Sequence, residues 1–161
     1  DVRGDILLDV RLVLPHHSVI KADARPLAIF PLERGGKDLT VQVSEATLDG
    51  MPVYLIGGDP ITSVGSVYSS NPAVDAEKYA FFARAALELP RVLNWQVDVI
   101  HAHDWHTALA VYAMLLKRWA GEMTGTVLNA MPAGSTAYVY GALSQEACGN
   151  IDPIGLVSVR P

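Results

Sequence analysis

Cysteine is almost missing from this chain. Cys148 stands alone among 161 residues, which excludes an internal disulfide and suits a reducing compartment. Charge is scarce as well: only 18% of residues are charged, the formal net charge is −5, and the twelve Lys and Arg form no cluster. Grouped cations are what neutralise a phosphate backbone, so no nucleic-acid partner is expected. No apolar run reaches the length of a membrane span, and the opening DVRGDILLDV lacks the layout of a signal peptide. No membrane partner is expected, and the composition reads as that of a soluble intracellular protein. Internal repeats and low-complexity tracts are missing too. What the chain has in quantity is apolar side chains, 50% of the total, at a length sufficient for one domain with a real core.

Those apolar residues fall into short runs. DVRLVL (9–14), stopped by Pro15, reads as a buried strand. Residues 39–46 and 52–56 supply two more, with Asp49-Gly50 as the turn between them. VYLI within the second is apolar throughout, as a strand covered on both faces should be. Residues 57–74, rich in Gly, Ser and Pro, read as a surface loop. A helix follows over 76–89, with Asp75 as its expected N-cap and Pro90 as its expected end or kink. Tyr79, Phe82, Ala83, Ala86 and Leu87 form its core-facing stripe. VDVIHA (97–102) reads as a strand and TALAVYAMLLKRWA (107–120) as a helix. Strand–helix–strand–helix succession predicts an α/β fold with a mainly parallel sheet. After TVL (126–128) the pattern is poor until IGLVSV (154–159), another apolar strand.

HAHDWH (101–106) carries three of the five histidines at the point where a strand hands over to a helix. In open α/β sheets that edge binds ligands, and the helix N-terminus offers free N–H groups there. Three readings compete. Three imidazoles and a carboxylate are a possible zinc or iron set. The H-x-H-x-D-H run of metallo-β-lactamase-like hydrolases, however, has Asp directly before its last His, and here Trp105 intervenes between Asp104 and His106. On a strand His101 and His103 share a face while His106 lies beyond the turn, and nothing in the sequence places His16-His17 nearby. The plain reading is that these histidines satisfy loop backbone and that Trp105 packs. The third is a sugar site, since hydroxyl-rich ligands want carboxylate and imidazole beside an aromatic face.

DVIHAHDWHTALA resembles the matching segment of bacterial and plant glycogen and starch synthases, the family 5 retaining glycosyltransferases. The likeness runs unbroken over residues 75–109, from DAEKYAFF to HDWHTAL, and is similar to the family's D-N-x-x-R-F helix, loop and strand. VRLVLPHHSVIK (10–21) resembles the family's second strand and MPVYLIGGDP (51–60) its V-Y-L-I strand, so the likeness covers about two thirds of the chain. There are departures. The family's K-T-G-G-L loop has no counterpart at the start, the I-H-N signature after the T-V-x-T strand is lost, and the E-x7-E motif of the second domain is absent. SQEACGNIDPIGLVSV (144–159) is similar to the stretch that opens that second domain, with Arg160 one place late. The expectation is a discontinuous or truncated sequence. Residues 1–128 would be the N-terminal Rossmann-like, acceptor-side domain. Residues 129–161 would be a poorly patterned tail drawn from the interdomain region and the first strand of the nucleotide domain.

The resemblance implies the N-terminal half of a GT-B enzyme: a Rossmann-like sheet with flanking helices, facing a nucleotide-binding domain across a cleft. It implies transfer of glucose from ADP-glucose to the non-reducing end of an α-1,4-glucan, with retention and without metal or other cofactor. His106 corresponds to the histidine that reaches the transferred glucose and is the expected catalytic residue. Asp104, Thr107, Asp75, Tyr68 and Arg160 are the expected substrate-binding positions. Asp104 would fix the turn or the His106 tautomer, or would cap the helix; Arg160 would meet phosphate. The implied location is the bacterial cytoplasm, or the plastid in a plant. A non-catalytic α-glucan-binding domain is the alternative, with a His-cluster metallohydrolase behind it.

Overall fold

The computed structural model describes residues 7–119, 126–128 and 154–160; Cys148 and the rest of the tail lie outside the described residues. Seven strands make one sheet: β1 (Leu7–Pro15), β2 (Arg25–Arg34), β3 (Lys37–Leu48), β4 (Met51–Gly57), β5 (Val99–Ala102), β6 (Thr126–Leu128) and β7 (Ile154–Arg160). Their order across the sheet is β2-β3-β4-β1-β7-β5-β6. The helices are a short α1 (Asp59–Thr62), α2 (Pro72–Val92) and α3 (Asp104–Trp119).

The α/β class stands, and the sheet is mixed rather than mainly parallel. Two hairpins account for half of this. β2 and β3 pair antiparallel across Gly35 and Gly36, both at positive φ, and β3 and β4 across Asp49 and Gly50, also both at positive φ. Paired left-handed residues are what tight hairpins demand. The other half comes from β7, which pairs antiparallel with both β1 and β5. Only β1–β4 and β5–β6 are parallel pairs. Even so, β1, β2, β4, β5 and β6 run one way and β3 and β7 the other, so the carboxyl ends of β1, β4 and β5 share one edge.

β2 has no counterpart in the sequence reading. It carries Pro26 and Pro31, which weaken a strand signal, and it is the outer strand of the sheet, where a missing N–H is tolerated. Its alternation is plain in the fold: Phe30 and Leu32 are buried while Ile29 is exposed. β4 buries Val53, Tyr54, Leu55 and Ile56 in succession, as a strand covered on both faces must.

α2 corrects two expectations. It starts at Pro72, and its N-cap is Asn71, whose side chain accepts from the Ala73 N–H at 3.0 Å; Asp75 lies inside the first turn. Pro90 does not end the helix, which runs on to Val92 with Pro90 inside its last turn. The predicted stripe is buried, and so are Phe81, Ala85 and Leu89, because α2 is enclosed between the sheet and α3. The main core gathers those residues, Tyr79 excepted, with Val13, Val41, Val43, Tyr54, Ile56, Ile100, Ala110 and Met114. Leu12, Leu14, Val53 and Leu55 form a second cluster through the opposite face of β1 and β4.

Candidate functional site

The shared edge gathers four segments. β1 ends in Pro15, and the chain turns sharply: the His16 N–H donates to the Ile56 carbonyl at 2.7 Å, the His17 N–H to Pro15 at 2.9 Å and the Ile20 N–H to His17 at 2.9 Å. This turn points His17 inward, where it is 1% exposed. The 66–69 segment crosses the same edge in front of α2. α2 itself contributes Asp75, Lys78 and Tyr79, and α3 contributes His106 and Thr107 from its first turn.

Aromatic packing joins them. The Tyr79 ring meets His106 edge-on at 4.5 Å and His17 at 6.2 Å. Tyr68 tilts against His106 from the outer side at 5.3 Å and is itself exposed. His106 is 3% exposed, so Tyr68 is the rim of a group whose interior is closed.

Polar bonds tie the 66–69 segment to α2. Lys78, fully buried, donates to the Asp75 carboxylate at 2.8 Å, to the Ser66 carbonyl at 3.4 Å and to the Val67 carbonyl. The Tyr79 hydroxyl donates to the same Val67 carbonyl at 2.7 Å, and the Ser69 N–H donates to both Asp75 oxygens at 3.0 and 2.9 Å. Burial pushes the Asp75 carboxyl up, but the Lys78 hydrogen bond, the Ser69 N–H and the Lys78 charge outweigh it and hold the pKa below the usual carboxylate value. The His17 pKa is lowered as well, but by opposite means: burial, then the nearby Lys78 charge, disfavour its charged form and bring it to about 4. It is neutral at pH 7.

HAHDWH divides at its turn. His101 and His103 stack together with rings 4.4 Å apart, and burial lowers the His101 pKa. Asp104 sits at φ 52, a left-handed conformation that Asp tolerates, and this redirects the chain from β5 into α3. Thr107, 0% exposed, donates its hydroxyl to the His103 carbonyl and approaches the Asp104 carbonyl at 3.2 Å, closing the turn. Among the described residues, no three His, Cys, Asp or Glu side chains group as a metal ion's ligands do.

Of the expected site residues, then, His106, Thr107, Asp104, Asp75 and Tyr68 come together. Arg160 does not join them: it is in register with Leu7, at the opposite edge of the sheet. His17, Lys78 and Tyr79 belong to the group without having been expected there. For His17 the signal was its place just past the end of β1, since loops that follow like-directed strands converge.

Such a sheet, with imidazoles and aromatic rings closing the carboxyl edge of its strands, defines an α/β domain. The family profile described as "Starch synthase catalytic domain" matches residues 6–130, and the chain belongs to that family. The glycogen synthase of Bacillus cytotoxicus is 31% identical over 111 residues, which cover 66% of this chain and 23% of that protein. The glycogen synthase of Aliivibrio fischeri is 34% identical over 116 residues, 68% of this chain and again 23% of the relative. The chain thus spans less than a quarter of the length of these relatives. Among solved structures, the catalytic domain of starch synthase IV from Arabidopsis thaliana, bound to ADP and acarbose, superposes with a TM-score of 0.60 at 26% identity, over 71% of this chain and 25% of that one.

Proposed function

We propose that this chain forms the acceptor-side part of a glycogen- or starch-synthase-type glucosyltransferase, which moves glucose from ADP-glucose to the non-reducing end of an α-1,4-glucan. The observation that carries the reading is His106: a buried imidazole in the first turn of α3, held between Tyr79 and Tyr68 at the ligand edge of a synthase-family fold. The solved relative bound to ADP and acarbose supports a nucleotide and an α-glucan as the ligands.

In this reading His106 orients the transferred glucose and donates a hydrogen bond that tightens as charge develops in the transition state. Tyr68 supplies an aromatic face at the rim. Asp104 and Thr107 set the turn that aims His106, and Asp75 fixes the segment that carries Tyr68. Residues 1–128 make up the acceptor-side domain, and a nucleotide-binding domain of GT-B type completes the cleft. Arg160 would meet phosphate only in an arrangement with that domain. The chemistry calls for no metal or other cofactor, and the compartment is the cytoplasm of a bacterium or the plastid of a plant. Among the described residues no helix is long and apolar enough to cross a membrane.

The test is incorporation of radiolabelled glucose into glycogen by the complete polypeptide, with ADP-glucose and UDP-glucose as rival donors. Label entering α-amylase-sensitive product from ADP-glucose is the expected result. Binding of glycogen with no transfer from either donor would instead mark a glucan-binding module.

A further inference from the structure

His17 is costly for the fold as it stands. Its side chain is 1% exposed, and neither ring nitrogen has a hydrogen-bond partner among the described residues. A buried polar group left unmet keeps the full cost of its lost hydration, and native proteins keep few such groups. Nor does the ring hold the turn in place, since backbone bonds from His16, His17 and Ile20 do that. Its position suggests what the nitrogens are for. The ring lies at the ligand edge, on Tyr79, whose ring also contacts His106.

We infer that His17 is a second sugar-contacting residue, whose ring nitrogens meet a hydroxyl at the acceptor end of the α-glucan, beside the transferred glucose that His106 orients. The inference rests on the glucosyltransferase reading of the site. A neutral imidazole presents one donor and one acceptor, the complement of a hydroxyl. The surroundings favour a neutral ligand over an anion: the nearby Lys78 charge is already matched by Asp75 and shared with the Ser66 and Val67 carbonyls. Tyr68 is the exposed member of the group, on the side from which a ligand would approach.

Maltoheptaose binding to the full chain, by calorimetry, tests this alongside the melting temperature of each variant. His17→Phe keeps a planar ring and removes both unmet nitrogens; His17→Gln keeps a donor and an acceptor. The expected result is that His17→Phe melts no lower than the parent yet binds maltoheptaose at least tenfold more weakly, while His17→Gln recovers part of the affinity. Unchanged affinity in His17→Phe, with glucosyl transfer lost in His106→Ala, overturns the role of His17 and leaves the glucosyltransferase reading intact. A fall in melting temperature that parallels the loss of binding in both His17 variants also overturns it, by making His17 structural. If the parent chain binds neither maltoheptaose nor ADP-glucose, the reading of the whole site fails and this inference with it.

Discussion

Lys78 is fully buried, so its charge is balanced by the protein around it. Among the described residues Asp75 is the anion in contact with it, at 2.8 Å, and the Ser66 and Val67 carbonyls accept from it as well. Removing one partner of a buried pair strands the other charge, which typically costs ~3–5 kcal/mol. Asp75→Ala should therefore lower the unfolding free energy by about that amount in urea titration, whereas Asn71→Ala, which removes the actual N-cap of α2, should cost ~1 kcal/mol. Equal, small losses at both positions would show that Asp75 acts only as a helix-end group. The sequence placed Asp75 at the right end of the right helix but could not reveal that its partner is three residues along, or that Ser69 folds back onto it.

At the scale of elements, the seam between β4, α1 and α2 closes on Gly58. A Cβ there would stand 2.4 Å from Phe81 Cζ and 2.8 Å from the Thr40 carbonyl oxygen. The phenyl ring can give way but the backbone cannot, so Gly58→Ala should destabilise by ~1–3 kcal/mol, the usual range for overpacking. Thermal unfolding of the variant checks this, and an unchanged midpoint would mean that the seam is loose. Elements whose signal is local were legible in the sequence. β4 showed as VYLI, the β3–β4 turn as Asp49-Gly50, α2 by its core-facing stripe, and the strand-to-helix handover at HAHDWH by its place between β5 and α3. Elements defined by their neighbours were not. β2 hid behind Pro26 and Pro31, although Gly35-Gly36 after it is a hairpin signal. The antiparallel place of β7 between β1 and β5 depends on long-range pairings, those with β1 across more than 140 positions of sequence, which no periodicity encodes. For His17 only its place past the end of β1 was legible; that it meets Tyr79 of α2 shows in space alone.

For the molecule as a whole, acid should be the weak side. An exposed imidazole in the unfolded chain takes its proton near pH 6.5, whereas folded His17 stays neutral down to about pH 4. Between those values the unfolded chain binds more protons, so stability falls as the pH is lowered. Asp75 adds to this in the same direction. Its carboxyl is held below the ordinary value in the fold, so its contribution is full above the carboxylate range and is lost as pH falls through its folded pKa. Melting temperatures should drop steadily from pH 7 to pH 4, and His17→Phe should flatten that slope; a slope unchanged by the substitution would place the acid sensitivity elsewhere. The most direct test of the central claim is the turnover of His106→Ala, measured with its melting temperature, in the complete polypeptide supplied with ADP-glucose and glycogen. Loss of one preorganised donor at the transferred sugar predicts a fall in kcat of ~10²–10³-fold with the fold intact. A kcat within a few-fold of the parent, with the melting temperature lowered instead, would contradict it and make His106 a packing residue of the α2–α3 edge.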